Sequence, residues 1–344
     1  MISIGMIGLG KMGLSHASMV NGLDGFQVSY VADLNFFLTR SISRYLKSQK
    51  SRDYKEILDD SGTDAVIISV PSHLHYQISS EAIEAGKHVF LEKPMTLNAV
   101  HSQTLTRLCQ DRGIIGQVGY VNRFLPSFSR LSEILSQALE GEPREYECIM
   151  KGNVVGEAGA RGWRNDHRLG GGCLYEYGSH CLDSMRFLFG PVAKVEHVSL
   201  ERRVSSIVED TVTSTVVHES GVRGTLLIDW ADPGQRKASN SFVVRTDSAA
   251  IVADKSSIHV FHHPTTDMRL AREVIRCSEP DTRITGADFP TNVPFYLRGE
   301  EYSLQLMEFQ SRIMGEPARN SSTFLAACAT DELIEKIFSM DGRA

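Results

Sequence analysis

Residues 8–13 read Gly-Leu-Gly-Lys-Met-Gly, a GxGxxG pattern. Glycines at this spacing suit the binding of a diphosphate. Gly8 permits a tight turn and Gly10 lets the backbone approach the pyrophosphate. Gly13 allows the following helix to pack closely on the preceding strand, and the helix start at Lys11 and Met12 offers free N–H groups to the phosphates. The triplet also occurs in ordinary turns, so its context matters more. A short apolar run, Ile2–Ile7, leads straight into it, and a helical pattern leads out. Asp33 lies 33 − 13 = 20 residues beyond the last glycine, at the end of the next strand-like run. A carboxylate there accepts hydrogen bonds from the adenosine ribose and repels a 2′-phosphate, which favours NAD(H) over NADP(H). Two alternatives stay open: Asp33 as a helix cap, and Arg40, further along, as a residue that tolerates NADP(H).

A second group of reactive side chains is Glu176, His180 and Asp183. Spacings of four and three place all three on one helix face. Imidazole titrates near neutrality, so His180 is the candidate proton carrier, with Asp183 orienting it or holding a substrate hydroxyl. A merely polar, solvated helix face would give the same pattern. Lys93 sits between the apolar run His88–Leu91 and Pro94. An ammonium beside a reacting carbon stabilises oxyanion character and assists proton transfer. Asn122 follows the last strand-like run of the first half and is expected on the nicotinamide side. Tyr296, Arg298 and Glu301 are possible neighbours from the C-terminal region. His180, Cys181 and Cys173 fit no common zinc spacing, so no metal is expected.

These groups need elements to hold them. Up to about residue 121, strand-like runs (2–7, 27–33, 64–70, 88–91, 114–120) alternate with helical stretches (11–23, 35–47, 73–85, 97–112). Such alternation implies parallel βαβ units: an α/β domain of Rossmann type with a doubly wound parallel sheet. From residue 122 to 344 the pattern changes. Helical stretches at 126–139 and 174–188 precede strand-like runs at 192–203, 211–218, 222–230, 241–246 and 249–253, and helices at 301–313 and 323–339 close the chain. Strands without intervening helices predict an α+β domain with a large, mainly antiparallel open sheet. The last helix is a candidate to pack back on the first domain.

Four segments resemble the Gfo/Idh/MocA family of oxidoreductases. They are GLGKMG, then SVPSHLH (residues 69–75), then Glu92-Lys93-Pro94, and finally GWR…GGGCLYEYGSHCLD (residues 162–183). The combination is far more specific than the glycine triplet. The resemblance implies a catalytic Lys93 and a following proline that is often cis. It also implies that Glu92 contacts the cofactor ribose, that Ser69, Pro71 and His75 line the cofactor, and that Trp163 and Arg164 lie near nicotinamide and substrate. Relatives usually carry Asp where this chain has Glu176. The implied activity is hydride transfer between a nicotinamide and a carbinol or carbonyl carbon of a sugar, cyclitol or nucleotide-linked sugar. The alternative is a non-catalytic NAD-binding sensor or complex subunit.

Composition narrows the remaining classes. The chain has 344 residues, 42% hydrophobic and 23% charged, with a formal net charge of −6. It has no basic stripe, which argues against nucleic acid. It has no apolar run of about 18 residues, which argues against a membrane span. The start reads as a strand, not a leader. Six scattered cysteines without a CxxC pair suggest reduced thiols and a cytoplasmic setting. As in relatives, the outer sheet face is expected to bury against another subunit of a homodimer or homotetramer.

Overall fold

A computed structural model describes residues 1–155, 162–262, 268–289, 293–294, 297, 299–318, 320 and 322–342. They divide into two compact units, one of residues 1–121 and 292–332, the other of residues 122–291 and 333–344. Residues 292–332 thus belong to the first unit, although strand–helix order alone had grouped them with the second.

In the first unit, β1 (Ile2–Ile7), β2 (Phe26–Ala32), β3 (Gln49–Ser51), β4 (Ala65–Ile68), β5 (His88–Leu91) and β6 (Gly116–Val118) form one sheet in the order β3-β2-β1-β4-β5-β6. Every pairing is parallel. All four residues of β4 are buried, as its unbroken apolar sequence requires of a strand covered on both faces. The connections carry α1 (Lys11–Gly22), α2 (Phe36–Leu46), α3 (Lys55–Asp59), α4 (His75–Glu84) and α5 (Ala99–Arg112). The Asn35 side chain caps α2 by accepting from the Leu38 N–H, and Asn98 caps α5 by accepting from His101. Asp33 is therefore not the cap of α2. β3 and α3 were not expected, because a three-residue polar strand (Gln-Lys-Ser) carries no hydrophobic signal.

The second unit begins with α6 (Pro126–Ser136) and β7 (Pro143–Lys151). A π-helical turn, Leu174–Gly178, then runs into α7 (Ser179–Phe189). Strands β8 (Val192–Glu201), β9 (Thr211–His218), β10 (Arg223–Asp229), β11 (Ser239–Thr246), β12 (Ala250–Asp254) and β13 (Ser257–Phe261) follow, then α8 (Met268–Cys277) and β14 (Thr282–Thr285). The eight strands are ordered β14-β13-β12-β11-β7-β10-β9-β8. All pair antiparallel except β7 with β10, which are parallel. Burial alternates strictly along β11, so one face of the sheet is core and the other is not. Phe128 and Leu131 of α6 and Leu182 and Met185 of α7 share that core with Tyr146, Trp230 and Phe242. α8, β13 and β14 were not anticipated.

The chain closes with α9 (Glu300–Ile313) and α10 (Phe324–Met340). Residues before Leu333 complete the first unit: Thr323 bridges Gln117, and buried Asp331 accepts hydrogen bonds from Thr96 N and Ser102 Oγ.

Candidate active site

The first unit builds a cavity at the carboxyl ends of its strands. Gly8 has φ +88°, and a Cβ there would lie 2.8 Å from the Ser69 carbonyl oxygen. A Cβ on Gly13 would lie 2.0 Å from the Gly8 carbonyl oxygen. These approaches press the start of α1 against the β1 turn, so glycine is required at both positions. At Gly10 nothing lies within 4 Å of the place a Cβ would take. That open side faces a cavity of about 430 Å³. Of the expected residues, Gly8, Gly10, Asp33, Ser69 and Pro71 line it. Lys11 is exposed at the first position of α1, with Met12 half-buried beside it. The cavity, the glycine loop and the strand-end carboxylate fit a dinucleotide.

Asp33 does more than await a ribose. One carboxylate oxygen accepts from Leu9 N in the glycine loop at 2.7 Å, and the other from Asn35 N at 2.8 Å. The carboxylate thus braces the loop while each oxygen keeps a second lone pair for a hydroxyl. Arg52, Tyr54 and Gln77 also line the cavity and were not foreseen. Arg40 is exposed and does not line it.

Glu92 and Lys93 stand at the end of β5, and the Lys93–Pro94 peptide is cis. Glu92 Oε1 lies 2.6 Å from Nε2 of His16, whose side chain is fully buried. Burial pushes the Glu92 carboxyl up. The hydrogen bond from His16 and the neighbouring His16, Lys93 and His75 outweigh that and hold it below its ordinary range. His16 carried no sequence signal beyond its place on α1. His75 corrects an expectation. It does not line the cofactor cavity but is buried, its Nδ1 2.8 Å from the Pro94 carbonyl and its Nε2 3.0 Å from that of Val70. It ties the segment that ends β4 to the one that ends β5. Burial lowers its pKa despite those contacts.

In the second unit the expected trio on one helix face is not found. Glu176 lies in the π-turn, whose wider ring shifts it out of register with α7. Both its oxygens are held by Arg164, at 2.7 Å from Nε and 3.0 Å from Nη2. Asp183 is fully buried, with both oxygens on Arg123 at 2.8 and 2.7 Å. Both oxygens are thus taken by Arg123, where the sequence reading had assigned them to His180 or a substrate hydroxyl. Arg123, missed on sequence, is its structural partner. His180 is half-buried at the second position of α7. The Arg164 guanidinium lies 4.7 Å from the centre of the Trp163 ring, which is 38% exposed. Behind this layer, fully buried Glu209 accepts from Leu174 N and lies 3.2 Å from His167 Nε2. It anchors the glycine loop at Gly172, where a Cβ would strike its carboxylate. Asn122 is buried, its Nδ2 without a hydrogen-bond partner among the described residues. Glu301 lies in the first turn of α9, while Tyr296 and Arg298 fall outside the described residues.

Comparison with known proteins bears on the family and the fold. Residues 2–120 match the family described as "Oxidoreductase family, NAD-binding Rossmann fold", and residues 128–258 match the "GFO/IDH/MocA C-terminal domain". Two curated relatives come from Bacillus subtilis. A scyllo-inositol 2-dehydrogenase (NADP(+)) is 30% identical over 60% of this chain and 58% of its own. A scyllo-inositol 2-dehydrogenase (NAD(+)) is 30% identical over 58% and 56%. The chain thus spans a little over half the length of the curated relatives it matches. A solved levoglucosan dehydrogenase in complex with NADH and levoglucosan has the same fold, with a TM-score of 0.86 at 18% identity over 99% of this chain and 97% of its own.

Proposed function

The chain belongs to the Gfo/Idh/MocA family of oxidoreductases, and from that premise we propose that it is an NAD(P)(H)-dependent dehydrogenase or reductase of a sugar, a cyclitol or a nucleotide-linked sugar. The carrying observation is the cavity of about 430 Å³ walled by the glycine loop and Asp33. Polyol dehydrogenases among the relatives support the substrate class. A bound nicotinamide supplies the hydride acceptor or donor at C4, and the protein supplies position and proton transfer. His180 takes the hydroxyl proton during oxidation, and the Lys93 ammonium steadies the oxygen as its charge develops. The interlocked Arg164–Glu176 pair presents fixed donors and acceptors to flanking hydroxyls. Asn122 borders the nicotinamide side.

Supporting a cytoplasmic setting, all six cysteines are free thiols and five of them are buried. No described helix is long and apolar enough to cross a membrane. The half-buried outer residues Ile149, Leu227 and Val243 support association of this sheet face into a homodimer or homotetramer.

The test is Lys93→Ala, with turnover on a panel of polyols followed by nicotinamide absorbance and cofactor affinity measured separately. Turnover falls by about 10²- to 10⁴-fold with affinity nearly unchanged. Turnover near that of the parent protein rejects the mechanism. Absence of turnover on every polyol, with cofactor still bound, favours a sensor instead.

A further inference from the structure

The cofactor cavity holds a cation that the sequence pattern did not anticipate. β3 pairs with β2 in parallel, with Ala32 opposite Ser51. The next residues along the two strands are Asp33 and Arg52, so one carboxylate and one guanidinium leave neighbouring strand ends, about 4.8 Å apart in a sheet, and line the same cavity. They do not spend themselves on each other. Asp33 is held by the Leu9 and Asn35 N–H groups. Among the described residues no ion pair engages Arg52, which is exposed.

We propose that Arg52 binds the 2′-phosphate of NADP(H), so that the cavity accepts both dinucleotides rather than NAD(H) alone. The inference rests on the dinucleotide-dependent reading above. Asp33 alone would exclude a 2′-phosphate by like charge. Two features offset that repulsion. The backbone donors on Asp33 draw its negative charge toward the loop, and a guanidinium one strand away offers a planar fork matched to phosphate oxygens. With NAD(H), Asp33 accepts from the ribose hydroxyls and Arg52 is left solvated. With NADP(H), Arg52 compensates what Asp33 loses. A lysine would not serve equally, since it is a point charge without the fork.

The test is calorimetric binding of NAD⁺, NADP⁺, ADP and 2′,5′-ADP to the full chain, its Arg52→Ala variant and its Asp33→Asn variant. The parent protein binds NADP⁺ within about tenfold of NAD⁺. Arg52→Ala weakens NADP⁺ and 2′,5′-ADP by about 10- to 100-fold and changes NAD⁺ and ADP less than about threefold. Asp33→Asn shifts the ratio the other way. The loss in Arg52→Ala shrinks as salt rises, because the lost contact is ionic. Equal weakening of all four ligands by Arg52→Ala assigns the residue to the shared adenosine and overturns the proposal, as does a parent protein that binds NAD⁺ but not NADP⁺. A parent protein that binds neither dinucleotide overturns the dehydrogenase reading itself, and this inference with it.

Discussion

His16 Nε2 and Glu92 Oε1 lie 2.6 Å apart inside the first unit, joining the first turns of α1 to the end of β5. The pair fixes a carboxylate beside Lys93, with the His16 ring fully buried. His16→Leu leaves that carboxylate facing an apolar wall. The expected cost is about 1–3 kcal/mol in urea unfolding at neutral pH. Glu92 is held below its ordinary value, so its contribution is present above that value and is lost as pH falls through the lower folded one. The gap between parent and variant should therefore close in acid. A gap that is constant with pH rules out the ion pair as its source.

The Arg123–Asp183 pair is buried on both sides, so removing one partner strands a charge. Asp183→Ala should cost about 3–5 kcal/mol, whereas replacing both partners by Leu and Met should recover most of that. Denaturant unfolding of the two singles and the double decides the matter. Additive losses would show that the two side chains act independently.

Gly10 and Gly13 should respond oppositely to alanine. Gly13→Ala forces its Cβ onto the Gly8 carbonyl, so unfolding free energy falls by about 1–3 kcal/mol. Gly10→Ala meets no protein atom within 4 Å and leaves stability within about 0.5 kcal/mol. Its methyl borders the cavity, so dinucleotide affinity falls. Thermal melts with and without NAD⁺ separate the two effects. A Gly10→Ala protein that melts early without ligand contradicts the steric account.

His75 and His218 are buried, and burial lowers the pKa of each below the ordinary 6.5. An unfolded chain binds protons at these sites more readily than the folded one. Stability should therefore rise with pH up to about 6.5 and flatten above it. At pH 5.5 each histidine that stays neutral on folding lowers stability by up to about 1.4 kcal/mol. His218→Gln, which keeps a polar group near Tyr146 and Gly190, should flatten the slope between pH 5 and 6.5. An unchanged slope excludes His218 as a contributor.

What sequence could and could not reveal follows from the kind of signal each residue carries. The positions of the glycine loop, Asp33 and Lys93 were legible because they sit at the ends of apolar runs, and hydrophobic periodicity finds such runs. Arg52 was not, because its strand is the polar triplet Gln49–Ser51 at the sheet edge. His16 was hidden within a helix, its partner 76 residues away. The grouping of Glu176, His180 and Asp183 assumed a regular 3.6-residue turn. The π-turn at Leu174–Gly178 breaks that register, and Arg164 and Arg123 then claim the two carboxylates. Periodicity cannot report such long-range pairing, which depends on which charges burial brings together.

The parallel pairing of β7 with β10 has a consequence for how the chain comes off the ribosome. β7 lies between β10 and β11, both made later, so its ladders cannot close until about residue 246 has emerged. For about seventy residues of synthesis, from Lys151 to the start of β10 at Arg223, the strand around Tyr146 waits without either neighbour. That favours slow, late closure of this sheet.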